Sequence, residues 1–157
     1  MKRLLYAVCL AFTTSGYCLA DADITFHGKL VESVPCVVNG GEVITVDFGD
    51  EVMTTRIEDG AIGGTYTQSF MFSSDCPSGA LVRYQIKGAA SADKKLLTGD
   101  KDGLGFRFWH VDYLTLNEWF TTSTPLPRIY VTPARMGNAV IEGGEFNTLA
   151  TLLAEYQ

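Results

Sequence analysis

The chain has 157 residues, 46% of them hydrophobic and 19% charged, and its formal net charge is −6 at pH 7. A chain of this length suits one globular domain behind a leader rather than two domains. The acidic balance argues against nucleic acid and anionic membrane surfaces as partners, because both repel a negatively charged protein.

The first twenty residues predict a signal peptide. Lys2 and Arg3 form a basic start, residues 4–12 form an apolar run, and Ala20 ends a short stretch suited to a signal peptidase. The apolar run is shorter than the roughly 18 residues that a membrane-spanning helix needs. Cleavage after Ala20 leaves an exported chain of 137 residues (157 − 20). Its net charge is −8 (10 − 18), because the leader holds two basic residues and no acidic one.

Residues 21–36, directly behind the leader, predict a β-strand. Small or apolar side chains alternate with polar ones, which is the period of a strand with one buried face. That face carries Ala22, Ile24, Phe26, Gly28 and Leu30. Chain termini stay disordered unless they dock, so we expect this strand to fill a groove in its own chain or in another molecule.

The cysteine content predicts one disulfide. Cys9 and Cys18 leave with the leader, whereas Cys36 and Cys76 remain in the exported chain. In an oxidising compartment we expect them to pair rather than to stay as two free buried thiols. The bond would close a loop of 41 residues (76 − 36 + 1), which is worth about 4 kcal/mol in the chain-entropy account.

The rest of the chain predicts short strands separated by turns. Strands are expected at residues 43–48, 70–74, 81–87, 104–112, 129–132 and 146–156, with loops at Gly63-Gly64 and at 88–103. Residues 113–120 are the nearest helix candidate and should form at most a turn, because β-forming residues bracket them. Seven or eight short strands with one disulfide predict an antiparallel β-sandwich of immunoglobulin type. The last strand leaves one edge unpaired unless another strand lies beside it.

Taken together, these features resemble pilin subunits of the chaperone–usher pathway. In chain order, the residues that carry the resemblance are Phe26-x-Gly28, Pro35-Cys36-x-Val38-Asn39, Val46-x-Phe48-Gly49, Cys76, Gly103-x-Gly105-Phe106, Ala150-Thr151-Leu152 and Tyr156. Each motif is weak by itself. Their order and their spacing to both ends of the exported chain make the combination specific.

The resemblance implies an all-β fold, an incomplete immunoglobulin-like β-sandwich that lacks its last strand and is completed by a donor strand from another chain. It divides the chain into a signal peptide (1–20), an N-terminal donor-strand extension (21–30) and a pilin domain (31–157). The implied partners are a periplasmic pilus chaperone, an outer-membrane usher and neighbouring fimbrial subunits, with no nucleic acid.

The resemblance also assigns roles to residues at both ends. The donor strand would contribute Ile24, Phe26, Gly28 and Leu30, with Gly28 placed where the groove floor leaves no room for a side chain. The acceptor groove and chaperone-binding strand would comprise Phe146, Ala150, Leu152, Ala154, Tyr156 and Gln157. The carboxylate of Gln157 would anchor the chaperone.

Catalytic and metal-binding residues are not predicted. His27 and His110 are the only histidines, and no Gly-x-Ser-x-Gly sequence is present. The acidic residues around Asp100 lack the spacing of a calcium-binding loop. We therefore expect no enzymatic activity, no cofactor and no metal.

The expected function is that of a structural subunit of a surface fimbria, exported through the periplasm, that polymerises by donor-strand exchange and supports cell adhesion. The short extension before Phe26 favours a minor tip or adaptor subunit over a rod subunit. Two alternatives remain open. One is a complete sandwich with an ordinary edge strand. The other is a self-contained secreted carbohydrate-binding module, in which Trp109, Tyr113, Trp119 and Phe120 would stack on a sugar; packing against a sheet is the favoured interpretation of these aromatic residues.

Overall fold

The computed structural model describes residues 25–29, 36–76, 81–124 and 126–156. Residues 25–29 belong to one compact unit, and all the other described residues belong to a second. The five residues of the first unit are exposed and form no strand. The rest of the strand predicted at residues 21–36 lies outside the described residues, apart from Cys36.

The second unit consists of short strands. Its described part contains β1 (Val37–Val38), β2 (Gln68–Met71), β3 (Ser74–Asp75), β4 (Val82–Lys87), β5 (Leu97–Thr98), β6 (Leu104–Trp109), β7 (Trp119–Thr121), β8 (Arg128–Arg135) and β9 (Thr151–Tyr156), with 3-10 turns at Asn39–Gly41 and Thr54–Arg56. Among the described residues there is no helix long and apolar enough to cross a membrane. The predicted all-β fold is confirmed.

The strands form two main antiparallel sheets. One has the order β2-β8-β6-β5 and the other has the order β7-β4-β9, while β1 pairs separately with β3. In the three-stranded sheet, Tyr84 lies opposite Ala154 and Ile86 lies opposite Leu152. The edge strand β9 therefore has its register set by β4.

The hydrophobic core lies between the two sheets. Buried side chains from both contribute to one cluster, which includes Phe106 and Ile129 from the larger sheet and Tyr84 from the smaller one. Tyr84 meets Phe72 edge to face, with ring centroids 5.1 Å apart. Its hydroxyl forms a hydrogen bond of 2.7 Å with the Ser74 hydroxyl, so the polar end of this buried ring is satisfied.

The disulfide prediction is confirmed. Cys36, just before β1, is bonded to Cys76, just after β3, and their Cα atoms lie 4.5 Å apart. The bond thus joins the two strands of the small β1-β3 ladder.

Several of the predicted strands have different bounds in the structure. The strand predicted at 70–74 is two strands, because β2 pairs with β8 whereas β3 pairs with β1. The strand predicted at 104–112 ends at Trp109, where the chain turns and the amide of His110 donates to the carbonyl of Asp112 at 3.0 Å. The strand predicted at 129–132 extends to residues 128–135.

The longer β8 passes through Pro133, which normally argues against a central strand. The amide of Arg135 donates to the carbonyl of Glu58 at 2.6 Å, on the side of β8 that faces away from β6. Residues two apart along a strand point their amides the same way. An N–H at Pro133 would point to the side of β8 on which β2 lies. β2 pairs only with Arg128–Val131 of β8, so proline at position 133 removes no hydrogen bond between the two strands.

Two strands were not predicted. β5 lies inside the segment 88–103, which was expected to be a loop, and β7 begins within the segment 113–120, which was expected to form at most a turn. A turn does occur there, with Asn117 at a positive φ of 60°, and β7 then pairs with β4. Both strands are only two or three residues long, so they owe their formation to the neighbouring strand rather than to their own sequence.

Candidate functional site

An open groove lies along one side of the sandwich, and residues 43–48 form its first wall. Ile44, Val46 and Phe48 are half-buried, whereas the intervening residues are exposed, including Val43 at 88%. This alternation has the period of an extended chain. The strand predicted here is nevertheless absent, because no described residue forms a backbone hydrogen bond with residues 43–48.

The second wall is formed by residues 146–150, which lead into β9. The strand predicted at residues 146–156 covers only Thr151–Tyr156, because β4 ends at Lys87, opposite Thr151. Asp100 holds the wall before β9. Its carboxylate accepts a 2.7 Å hydrogen bond from the amide of Asn147, and its own amide donates to the Thr148 hydroxyl at 3.3 Å.

The floor of the groove is the inner face of the larger sheet. All four of its strands contribute, through Phe70, Leu97, Phe106, Phe108 and Val131. Together with the two walls they enclose a cavity of about 200 Å³. An engineered cavity of about 150 Å³ holds a benzene molecule, so this one has room for an aromatic side chain.

Three phenylalanines join both walls to the floor at one end of the groove. Phe48 comes from the first wall, Phe146 from the second and Phe106 from the floor, and their ring centroids lie 5.6 to 5.9 Å apart. At the other end the groove narrows, since β1 and β9 approach within 8 Å between Cα atoms. The open part lies between residues 43–48 and residues 146–150.

This arrangement suits one additional strand. Both walls carry backbone groups without ladder partners, and within the described residues β9 pairs only with β4. Unpaired backbone groups beside an apolar floor are costly unless an extended segment supplies hydrogen bonds and apolar side chains. Strand addition between chains provides both.

The structure brings together part of the predicted acceptor set. Phe146 and Ala150 line the cavity, while Leu152 and Ala154 are partly buried against the core beneath β9. Tyr156 ends β9 and is half-buried, and Gln157 lies outside the described residues. The prediction missed the first wall and the floor as parts of the site. The motif Val46-x-Phe48-Gly49 was the available signal for the first wall.

The predicted donor residues are only partly described. Phe26 is 89% exposed, and a Cβ built on Gly28 would meet no heavy atom within 4 Å. Ile24 and Leu30 lie outside the described residues. The donor role of these residues stays a prediction.

Metal ligands and His110 were the other candidates for a chemical site. The described residues contain no group of three or more histidines, cysteines or carboxylates able to hold a metal ion. The Nδ1 atom of His110 lies 2.8 Å from the Arg128 carbonyl oxygen, and its Nε2 atom lies 3.2 Å from the Thr122 hydroxyl. Both ring nitrogens of His110 are therefore engaged within the fold.

The aromatic residues considered for sugar stacking do not form one platform. Trp109, on the larger sheet, stacks on Tyr130 with centroids 4.0 Å apart and planes 8° apart. Trp119 lies on the smaller sheet, where the Arg83 guanidinium lies 4.7 Å from its ring. Phe120 packs against Tyr84 at 5.9 Å.

Sequence comparison identifies the family of the chain. A sequence profile of the family described as "Fimbrial protein" matches residues 24–157. The chain belongs to the fimbrial protein family. It is 27% identical to the "uncharacterized fimbrial-like protein YfcQ" of Escherichia coli K12 over 173 aligned positions, which cover 99% of both chains. It is also 27% identical to the fimbrial-like protein YfcR of the same strain, with 78% of this chain and 74% of that one covered.

Solved structures of two P pilus subunits share this fold. The adaptor subunit PapF is similar with a TM-score of 0.55 and 22% identity, covering 80% of this chain and 98% of PapF. The rod subunit PapA is similar with a TM-score of 0.63 and 15% identity, covering 86% of this chain and all of PapA. The predicted fold class, an incomplete immunoglobulin-like sandwich, is thereby confirmed. This fimbrial protein is a pilus subunit, and its family places it in a pilus at the cell surface.

Proposed function

We propose that this fimbrial subunit polymerises by donor-strand exchange, as a minor tip or adaptor subunit that supports cell adhesion. The observation that carries the proposal is the open groove between residues 43–48 and residues 146–150. It combines an apolar floor, a cavity of about 200 Å³ and two walls without ladder partners among the described residues. A strand from a neighbouring subunit would supply apolar side chains to the floor and the cavity and backbone hydrogen bonds to the walls.

The N-terminal extension has the composition that such a strand needs. Phe26 is 89% exposed within its own chain. Burying Ile24, Phe26 and Leu30 in a groove would contribute roughly 1.5 to 3 kcal/mol for each side chain. The walls would gain a hydrogen-bonded ladder at the same time. We therefore assign residues 21–30 as the donor extension and residues 31–157 as the pilin domain.

An empty groove also calls for a partner before assembly. Apolar floor residues and unpaired strand edges promote aggregation when they are exposed to water. We propose that a periplasmic chaperone fills the groove after removal of residues 1–20, along the strand that leads to Gln157, and that an outer-membrane usher then receives the complex. The short extension before Phe26 supports the minor or adaptor position.

Co-expression with candidate periplasmic chaperones, followed by mass measurement of the purified complex, tests this function. Ala150 lines the groove, whereas its neighbour Leu149 is 84% exposed on the other face. We expect the wild-type chain and Leu149→Arg to form a one-to-one complex. Ala150→Arg should reduce its yield several-fold, because it places a charge in the groove.

Two other outcomes would contradict the proposed function. A wild-type chain that is monomeric and stable without any chaperone would be a complete sandwich or a self-contained carbohydrate-binding module. Equal yields of the two arginine variants would show that the chaperone does not use the groove.

A further inference from the structure

The apolar groove continues into an acidic cavity. Beyond the phenylalanine end lies a space of about 470 Å³ that shares Val46, Phe48 and Phe146 with the groove. Asp47, Asp50 and Glu145 also line it, whereas no lysine, arginine or histidine does. Among the described residues, no group of three or more histidines, cysteines or carboxylates is placed to hold a metal ion.

The negative charge extends along both walls. Residues 42–52 contain four acidic residues and residues 142–156 contain three, and neither segment contains a lysine or arginine. Glu155 is already paired, at 2.8 Å, with Arg83. Lys101 approaches the second wall, with its Nζ 3.1 Å from the position of a Cβ on Gly144, but it forms no ion pair with a described carboxylate.

Two of these carboxylates, Asp47 and Glu145, lie on the solvent-facing side of the walls. Asp47 and Glu145 are exposed, and each directly precedes a phenylalanine that points into the groove. Neighbouring residues of an extended chain point to opposite sides. A strand laid in the groove would therefore have Asp47 on one side and Glu145 on the other, both beside its outward-facing residues.

The direction of an added strand follows from the sheet. The β7-β4-β9 sheet is antiparallel throughout, and antiparallel pairing is slightly more stable than parallel pairing. A donor antiparallel to the second wall would enter near Ala150 and end near Phe146. When the apolar face of residues 24–30 points inward, His27 and Lys29 point outward, and Lys29 comes close to the acidic end.

We infer that this groove selects a neighbouring subunit's N-terminal extension that carries a basic residue on its outward face, next to the last apolar residue of the donor run. The inference rests on the proposed donor-strand exchange and specifies the chemistry of the partner. Residues 21–30 of this chain have that chemistry, since Lys29 directly precedes Leu30, whereas the acidic residues Asp21 and Asp23 lie at the other end of the extension. The apolar side chains supply affinity, and the charge discriminates between extensions of similar apolar pattern.

The expected effect is moderate. Exposed ion pairs contribute little individually, and their influence falls as salt screens them. Complementary charge acts mainly on the rate of encounter and on the rejection of wrong partners. The signature is thus a position-specific, salt-sensitive change in the exchange rate.

The test uses chaperone-bound subunit and synthetic peptides of residues 21–30, with chaperone displacement followed by native mass spectrometry. The peptide variants Lys29→Gln and Thr25→Glu change the net charge by the same amount at opposite ends of the outward face. At about 0.02 M salt we expect Lys29→Gln to slow displacement roughly two- to fivefold and Thr25→Glu to have a smaller effect. At about 0.5 M salt the difference should disappear. Asp47→Asn with Glu145→Gln in the subunit should abolish it as well.

A fourth peptide, Phe26→Ala, tests use of the groove separately from selection by charge. If it is slow while Lys29→Gln matches the wild-type peptide, the groove is used but the charge selection is wrong. Equal slowing by Lys29→Gln and Thr25→Glu would show that only the net charge of the peptide matters, and not the position of the charge. That result would also overturn the inference. If no peptide displaces the chaperone, or if Phe26→Ala is as fast as wild type, the proposed donor-strand exchange fails, and the inference fails with it.

Discussion

At the scale of single residues, Gly28 is a glycine that the described part of the chain does not explain. A Cβ at this position would meet nothing within 4 Å among the described residues. No contact with a described residue therefore requires glycine there. A close approach to the floor of a neighbour's groove is the physical reason we propose for it.

We predict that Gly28→Leu slows or stops donation to a neighbouring subunit. The added side chain would overpack the acceptor groove, at a typical cost of about 1 to 3 kcal/mol. Chaperone binding should stay near normal, because the chaperone-binding strand that we propose, residues 146–156, is unchanged in the variant. Mixing the variant's chaperone complex with an acceptor subunit and following strand exchange on a gel gives the rate. Exchange at the wild-type rate would mean that the donor register is wrong.

At the scale of elements, the two groove walls share one property. Residues 43–48 and 146–150 have the side-chain pattern of strands, yet neither joins a ladder in the described structure. The second wall is held by Asp100, and the phenylalanine contacts connect both walls to the floor. The groove is therefore already shaped without an added strand, which would lower the ordering cost of the proposed strand addition.

Deletion of residues 21–27 should separate folding from assembly. The groove is built from residues 43 onward, so we expect the shortened subunit to bind its chaperone with unchanged yield. It should not donate to the preceding subunit, because Ile24 and Phe26 are gone. Yield of the chaperone complex and incorporation into fibres are the two measurements. An insoluble product in the presence of chaperone would show that the extension belongs to the subunit's own core, as in a complete sandwich.

At the scale of the whole molecule, the Cys36–Cys76 bond constrains the entry into the sandwich. It ties the segment before β1 to the end of β3, across 40 residues of sequence. A cross-link of this span disfavours the unfolded chain by about 4 kcal/mol in the chain-entropy account. That contribution is large relative to the stability of a small domain that has an open groove.

We predict that Cys36→Ser lowers the yield of chaperone-bound subunit while export continues. The double variant Cys36→Ser with Cys76→Ser is the matched control, since it removes the bond without leaving a single reactive thiol. Both variants should lose yield to a similar extent. Two reactive thiols in the purified wild-type protein, found by thiol titration, would contradict the bond itself.

Sequence information alone was sufficient where a local pattern determines the structure. The strand predicted at residues 81–87 matches β4 to within one residue, because its side chains alternate between core and surface. The pairing of Cys36 with Cys76 followed from the export signal and the number of cysteines left after it. The apolar pattern after Phe146 marked the second groove wall, whereas the motif around Phe48 supported the family resemblance without being assigned to the groove.

Only the tertiary structure decided which segments meet and which stay unpaired. β5 and β7 exist because β6 and β4 lie beside them, and β8 continues through Pro133 because its missing amide faces a side that β2 does not reach. The same principle explains the groove, since residues 43–48 have the sequence of a strand but no described strand beside them. Side-chain alternation is a local property, whereas a hydrogen-bonded ladder requires a second segment, distant in the chain or supplied by another molecule.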